Sequence, residues 1–549
     1  MTPRAFRTVA IIAWSIVATV ILGGCTGSPR AAIHRGQAHK AHPPQAPVAT
    51  APTSLSPDGV VSQAVLAENR NPGTSAWMLS IQGKGSIEGF GSKTYAAIGD
   101  SVDLYVSTDA STFSVVAYRM GWYQGLGARA VWDSPTLPGS VQPACPVDPA
   151  TNMVACDNWK PSLTIAITDA FVPGDYLLKL TGDGGQQGYV MLTVWDPAST
   201  ATYLVMNRSL VEEGWNTYGG FSYYQGTGPC ILDTQNYPPC NRARVVSFDR
   251  PFDVHGSSDF LDNEYPMVEY AEELGLDVTY CTDVCISEHP SFLLQHKAII
   301  GLDHDETWTN SERVGALKAL KAGVNMAFFG AATLVRHARL ESSPLGPDRQ
   351  EVDYRDSAED PLNGHGDPME VTGNTWGAAP TDWPSTSFTG EVYSGFVRPG
   401  QPSQPLVVWD PAAWVFRGLS VSKGTSYPNM INSDIDHITS SVAEPSNIQI
   451  LAHSPIPLTV AYTNQGSWDG STYSDMTYYT DPTSKGGVFS SGDNVWVAAL
   501  NQCPDPAATC SKAFARKVTG NVLWLFGQGP AGNRDPSVSN AGDVTPKGS

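Results

Sequence analysis

The sequence predicts a two-part α/β chain, with an all-β, immunoglobulin-like sandwich followed by a parallel-sheet α/β domain. Three observations predict this. Gly 52, Pro 42 and 15 Trp mark a loop-rich, turn-rich chain and not a helical bundle. From about residue 65 to 199, short alternating runs are separated by Gly, Asp and Pro, as in Val102-Asp103-Leu104-Tyr105-Val106 and Tyr189-Val190-Met191-Leu192-Thr193-Val194. Runs of that length and spacing are sandwich strands, seven to nine of them and antiparallel. From Thr202-Tyr203-Leu204-Val205-Met206 onward the pattern changes to apolar strands alternating with amphipathic helices, which gives a parallel sheet covered on both faces.

The elements of the second part follow in order. Pro266 to Leu274 reads as a helix, with Met267, Val268, Tyr270 and Ala271 at helical spacing and Gly275 ending it. Leu276 to Tyr280 and Ala298 to Leu302 read as strands, and Ser311 is the expected cap of a helix running to Ala322. After Gly323 comes a strand from Asn325 to Phe329. Residues 367–446 read as irregular insertions with a few strands, and Leu500 to Gln528 supplies a closing helix. The α/β domain is thus expected over 200–528, with a disordered polar tail over 529–549.

The N-terminus reads as an export signal. Arg4 and Arg7 precede an apolar run from Val9 to Leu22, too short to span a bilayer, which ends in Leu22-Gly23-Gly24-Cys25. Small residues before a cysteine are the pattern of a lipoprotein signal, so residues 1–25 are expected to end in a lipidated Cys25 that anchors the chain to a membrane. Residues 26–64, rich in Ala, Pro, Ser and Thr, are expected to form a disordered tether. His34, His39 and His42 in it read as solvated side chains.

The other eight cysteines form four near-neighbour pairs: Cys145 with Cys156, Cys230 with Cys240, Cys281 with Cys285, and Cys503 with Cys510. In an oxidising compartment these suggest four local disulfides. Cys281, Cys285 and His289 form an alternative zinc set that lacks a fourth ligand. With 33 basic and 53 acidic residues the formal charge is −20, which excludes nucleic acid as an expected partner.

In an open parallel sheet, ligands sit at the carboxyl ends of the strands. Three segments there carry chemistry: Asp303-His304-Asp305-Glu306-Thr307-Trp308, the stretch from Asn207-Arg208 through Trp215-Asn216 to Tyr223-Tyr224, and Asn432-Ser433-Asp434-Ile435-Asp436-His437. Asp434 and Asp436 read first as a hydrogen-bonded loop. After the strand Met326 to Phe329, Gly330-Ala331-Ala332 offers no thiol for a nucleophile elbow.

Taken together, these segments resemble the N,N-dimethylformamidase beta (large) subunit family, particularly its C-terminal domain, over about residues 72–528. The resemblance rests on Tyr118-Arg119-Met120-Gly121-Trp122-Tyr123-Gln124-Gly125, similar to the family's R-x-G-W-Y-G-G, on Ser247-Phe248-Asp249-Arg250-Pro251, and on Asp303 to Trp308, similar to G-H-D-E-Y-W. It implies a C-terminal fold like that of class I glutamine amidotransferases. It also implies an iron held by two tyrosines and a glutamate, which hydrolyses a formamide with the help of a small partner subunit. Carried over, the metal ligands are Glu306 and Tyr224, the latter in the G-G-x-S-x-Y context of Gly219 to Tyr224. The family's A-Y-N aligns with Gly214-Trp215-Asn216, so Trp215 stands where the second tyrosine is expected, and an indole cannot ligate a cation. Tyr218, Tyr223 or His304 are the available substitutes.

Two functions follow. One is a metal-dependent hydrolase of a small amide C–N bond outside the cytoplasm, with His304 or Asp305 moving a proton. The other is a catalytically inactive cell-surface protein that binds a glycan or envelope component. The sequence fixes neither the small-molecule ligand nor the oligomeric state.

Overall fold

The computed structural model describes residues 52–80, 85–228, 241–439, 444–464, 470–501 and 511–544. The expected signal peptide, Cys25, the histidines of the tether and the pairs Cys230–Cys240 and Cys503–Cys510 lie outside those residues. The architecture is mixed α/β, with many sheets and few helices. Residues 45–549 belong to one compact unit, so the β-rich and α/β parts fold against each other.

Burial of both faces explains the central sheet. Its strands lie in the spatial order Val278–Thr282, Tyr203–Asn207, Ala298–Asp303, Asn325–Gly330, Gly487–Ser490, Ser471–Thr480, Gln449–Pro457. The first five are mutually parallel and the last two pair antiparallel. Because side chains alternate across a strand, each strand feeds two cores. Tyr203, Val205, Ile300, Leu302, Ala327 and Phe329 enter one core, with residues of the helices Tyr265–Glu273 and Lys512–Phe526. Leu204, Met206, Ile299, Met326 and Phe328 enter the other, with the helices Asp283–Glu288 and Asn310–Lys321. Burial on both faces is why these strands read as continuous apolar runs.

The N-terminal part has two facing sheets. One carries the strands Tyr95–Ala97, Gln187–Trp195, Gly174–Gly182, Thr112–Met120 and Ala128–Asp133 in that order, and the other carries Ile87–Gly91, Ser101–Thr108 and Leu163–Ala166. Val102, Leu104 and Val106 of the second meet Val115, Leu178 and Val190 of the first in one apolar core. The expected all-antiparallel pairing fails at one edge, where Thr193, Val194 and Trp195 pair with Tyr95, Ala96 and Ala97 in parallel.

Three further expectations are corrected and one, the disulfide pairing at Cys281, is met. The tether prediction fails at its C-terminal end: Thr53–Ser56 and Gly59–Ser62 form a hairpin, docked by bonds from Ser62 N to Gly275 O (2.9 Å) and from Asp277 N to Val60 O (2.9 Å). The tail is ordered by contact through residue 544. Gly532 N donates to Lys485 O at 2.8 Å, and Asn540 exchanges bonds with Ile450 across both main-chain groups. The helix Asn310–Lys321 is capped by Thr309 and not by Ser311. Thr309 Oγ1 accepts from Glu312 N (3.2 Å) while Glu312 Oε2 accepts from Thr309 N (3.3 Å), a reciprocal box that Ser311 cannot make. Finally, Cys281 is joined to Cys285, as Cys145 is to Cys156, and His289 stacks on Trp195, so the zinc alternative falls.

The two parts are joined by a buried ion pair. Arg119 Nη2 meets Glu272 Oε1 at 2.7 Å and Nη1 meets Oε2 at 2.8 Å, with Tyr280 Oη and Asn69 Nδ2 completing the carboxylate. Removing one partner leaves the other charged and dry. Arg119→Met is therefore expected to destabilise the chain by about 3–5 kcal/mol. The double variant Arg119→Met/Glu272→Leu should recover part of that loss, with urea denaturation as the measurement.

Candidate functional site

The candidate site lies where four parallel strands end. Tyr203–Asn207 runs into Arg208 and the helix Ser209–Trp215, Ala298–Asp303 into His304 to Glu306, Asn325–Gly330 into Ala331 and Ala332, and Gly487–Ser490 into Asn494. A three-stranded sheet from the irregular region adds Asp434 and Asp436 on its edge strand Asp434–His437.

Glu306 is the centre. Its Oε2 accepts a short hydrogen bond from the Tyr224 hydroxyl, and its Oε1 meets Arg336 Nε at 3.1 Å. His304 Nε2 stands 3.5 Å from the same Oε2, and His304 Nδ1 stands 3.5 Å from Asp434 Oδ2. Trp215 lies flat on Tyr224 with ring centroids 3.5 Å apart, and the Arg355 guanidinium sits 4.0 Å over the Tyr224 ring. Burial works to raise the Glu306 carboxyl, but His304, the two guanidiniums and the phenol hold it down to about 2. Desolvation takes the Tyr224 phenol well above its ordinary value, so it stands as a neutral donor to a carboxylate.

Of the sequence-predicted residues, the fold brings Tyr224, Glu306, His304 and Trp215 together. It does not bring Asp305. The buried Asp305 takes a bond from Trp308 Nε1 to Oδ1 (3.0 Å), holding the turn from beneath the sheet. Tyr218 and Tyr223 are committed elsewhere, to Glu88 Oε1 and to the Glu351 carbonyl, each at 2.7 Å, so neither replaces the missing tyrosine. Asp434, read from the sequence as a loop residue, instead backs His304 and accepts from Asn494 Nδ2 at 3.1 Å. Arg336, Arg355 and Asn494 were not found in the sequence. A search for cations to match a buried Glu306 is the only signal that points to the arginines, and it does not choose among them.

The turn after Asn325–Gly330 keeps a constrained geometry without a nucleophile. Ala332 has φ 56°, held there by a bond from its N to Asp436 Oδ1 (2.9 Å), while Ala331 N donates to Asn494 Oδ1 (2.8 Å). A methyl group thus stands where a thiol or hydroxyl would be needed.

Among the described residues no three of His, Cys, Asp and Glu lie close enough to hold a metal ion, so a metal here depends on the phenol. Tyr224 Oη and Glu306 Oε2 are hard oxygen donors already in contact, which suits a hard cation in kind. The Trp215 Nε1–H is buried without a hydrogen-bond partner.

A β-rich α/β chain with a phenol, carboxylate and imidazole converging at its strand ends is the class this geometry defines. The family model described as N,N-dimethylformamidase beta subunit-like, C-terminal, matches residues 114–509, and the chain belongs to that family. The match begins inside the strand Thr112–Met120, so the family unit includes part of the N-terminal β structure. No curated protein matches the chain. Among solved structures, a cycloisomaltooligosaccharide glucanotransferase of Paenibacillus sp. complexed with cycloisomaltoheptaose aligns over 74% of this chain and 69% of its own. At 10% identity and a TM-score of 0.16 that likeness carries no argument.

The buried acids around the site make a prediction about pH. Burial pushes the Asp436 carboxyl up to about 7. A raised carboxyl binds its proton more tightly folded than unfolded, so its stabilising contribution is complete below the unfolded value near 4 and is lost as pH rises through about 7. The chain is expected to lose stability across that window. Asp436→Asn, which keeps an oxygen for Ala332 N, should flatten the slope in urea denaturations run at a series of pH values.

Proposed function

We propose that the chain is an extracytoplasmic hydrolase of a small amide C–N bond, lipid-anchored through Cys25, with a C-terminal part of class I glutamine amidotransferase type. The observation that carries the reading is the convergence of Tyr224, Glu306 and His304 on one point, with Asp434 behind the imidazole. Family membership over residues 114–509 supports the same chemistry.

In this reading Tyr224 and Glu306 would hold an iron ion through their oxygens, one protein donor short of the family's set because Trp215 takes the other place. A bound cation polarises an amide carbonyl and lowers the pKa of water beside it. The chain's own groups do the rest. Asp434 fixes the His304 ring through Nδ1, leaving Nε2 to take a proton from water and return it to the departing amine nitrogen. Arg336 holds the Glu306 carboxylate in place through Oε1, so Oε2 keeps its aim. Trp215 shields the phenol on one face.

One observation favours a second reading. The Trp215 ring covers the phenol, and the bond from the phenol to Glu306 gives both oxygens a partner without any ion, which suits a catalytically inactive surface protein that binds a glycan or envelope component.

Elemental analysis of the protein purified without chelators separates the two. The hydrolase reading expects about one iron per chain, lost in Glu306→Ala, and tighter iron retention during dialysis in Trp215→Tyr, which restores the family's phenol. Absence of metal from both the parent chain and Trp215→Tyr would leave the binding-protein reading.

A further inference from the structure

Beside the candidate site stands a guanidinium without a counter-ion. Arg242 lies on the short strand Asn241–Arg242, which pairs with Gly226–Thr227, and its register partner Gly226 comes two residues after Tyr224. The next residue, Ala243, donates its N–H to Ser222 O at 3.0 Å, so this strand flanks the segment that carries the phenol. The Arg242 side chain reaches Tyr354 O at 2.9 Å, and Arg355, one residue further on, holds its guanidinium 4.0 Å over the Tyr224 ring.

The carboxylates around Arg242 are taken by other cations. Asp353 pairs with Arg355 at 3.0 Å, and Glu359 pairs with Arg244 at 2.9 Å. Arg242 itself gives Nη1 to Ala243 O (3.2 Å) and Nη2 to Tyr354 O, both neutral carbonyls. Two of its five N–H donors are spent there, which leaves three. Those three are not sealed in, since Arg242 is half-buried and none of its nitrogens is both buried and unbonded.

Electrostatics agree with that geometry. Burial first, and then the Arg355 and Arg244 charges, draw the Arg242 guanidinium down to about 10, against the opposing pull of Asp353 and Glu359. The group stays charged at neutral pH, and the fall marks a cation short of an anion. An oxyanion supplies what is missing. A guanidinium fork meets the two oxygens of a carboxylate in one plane, and such a charge-assisted pair is stronger than the bonds to neutral carbonyls that Arg242 makes now.

We propose that Arg242 binds the carboxylate of a ligand whose amide group lies at Tyr224 and Glu306, so that the site takes an acidic amide, such as an N-acyl amino acid, in preference to a neutral one. The proposal rests on the reading of Tyr224 and Glu306 as the reacting end of the site.

Isothermal titration of the full chain with N-acetylglycine and with N-acetylglycinamide, in chloride buffer, tests it. The two probes share an acetamide group and differ in the charge at the other end. One saturable site per chain is expected for N-acetylglycine, at least about tenfold tighter than for N-acetylglycinamide. Arg242→Gln should remove that preference, with urea unfolding of the variant as the control for its fold. Glu359→Gln, at an exposed position, releases Arg244 from its carboxylate and should tighten N-acetylglycine binding about twofold or more. No saturable heat from N-acetylglycine, equal affinity for the two probes, a preference that survives Arg242→Gln, or an affinity that Glu359→Gln fails to raise would overturn the proposal. Inorganic phosphate that binds more tightly than N-acetylglycine and is lost in Arg242→Gln would assign the guanidinium to phosphate and overturn it as well. Iron content decides the hydrolase reading and binding heat decides this one, so an iron-free chain that prefers N-acetylglycine keeps the carboxylate site.

Discussion

The Arg208 guanidinium is the point on which the strand ends depend. It follows directly on the strand Tyr203–Asn207, is 2% exposed, and reaches Glu212, Glu264, Asp303 and the His304 carbonyl. Those partners come from the helix after the first parallel strand, from the edge of the helix Tyr265–Glu273, and from the end of the strand Ala298–Asp303. An arginine suits this position because its planar fork carries five donors and stays charged when buried. A lysine would offer one point charge to three carboxylates. Asp303 is held at φ 46° beside this guanidinium, and that turn sends His304 and Glu306 toward Tyr224.

The parts of the fold legible in the sequence are those whose periodicity is strong. The strands at 203–207, 298–303 and 325–330 are read within a residue or two because both their faces are buried and little else produces such runs. The parallel edge between Tyr95–Ala97 and Gln187–Trp195 was illegible, since parallel and antiparallel strands present the same alternation along the chain. The hairpin at 53–62 and the turns after 529 were read as disordered because their composition is polar and small. They are held by main-chain bonds to residues far away in sequence, and composition carries no record of such bonds.

The same division runs through the site. Tyr224, Glu306 and His304 were legible because each sits in a short local motif. Asp305 and Glu306 are set apart for a physical reason: successive residues of an extended chain point in opposite directions, so of the two only one faces the phenol and guanidiniums. Glu306 faces them, while Asp305 turns into the layer beneath. Arg336 and Arg355 were invisible because they stand 30 and 49 positions along the chain, on strands of a different sheet or just past its edge.

Charge decides what the site can hold. Glu306 and Asp434 face Arg336, Arg355 and a histidine, so the local balance is near neutral and the carboxylate is ionised without help from a metal. A tyrosine at position 215 would add a second oxygen donor for a hard cation. Tryptophan lacks that donor and covers the remaining phenol. Beside Arg208 the balance reverses: Glu212 and Glu264 share that one guanidinium with Asp303, and burial raises both carboxyl groups.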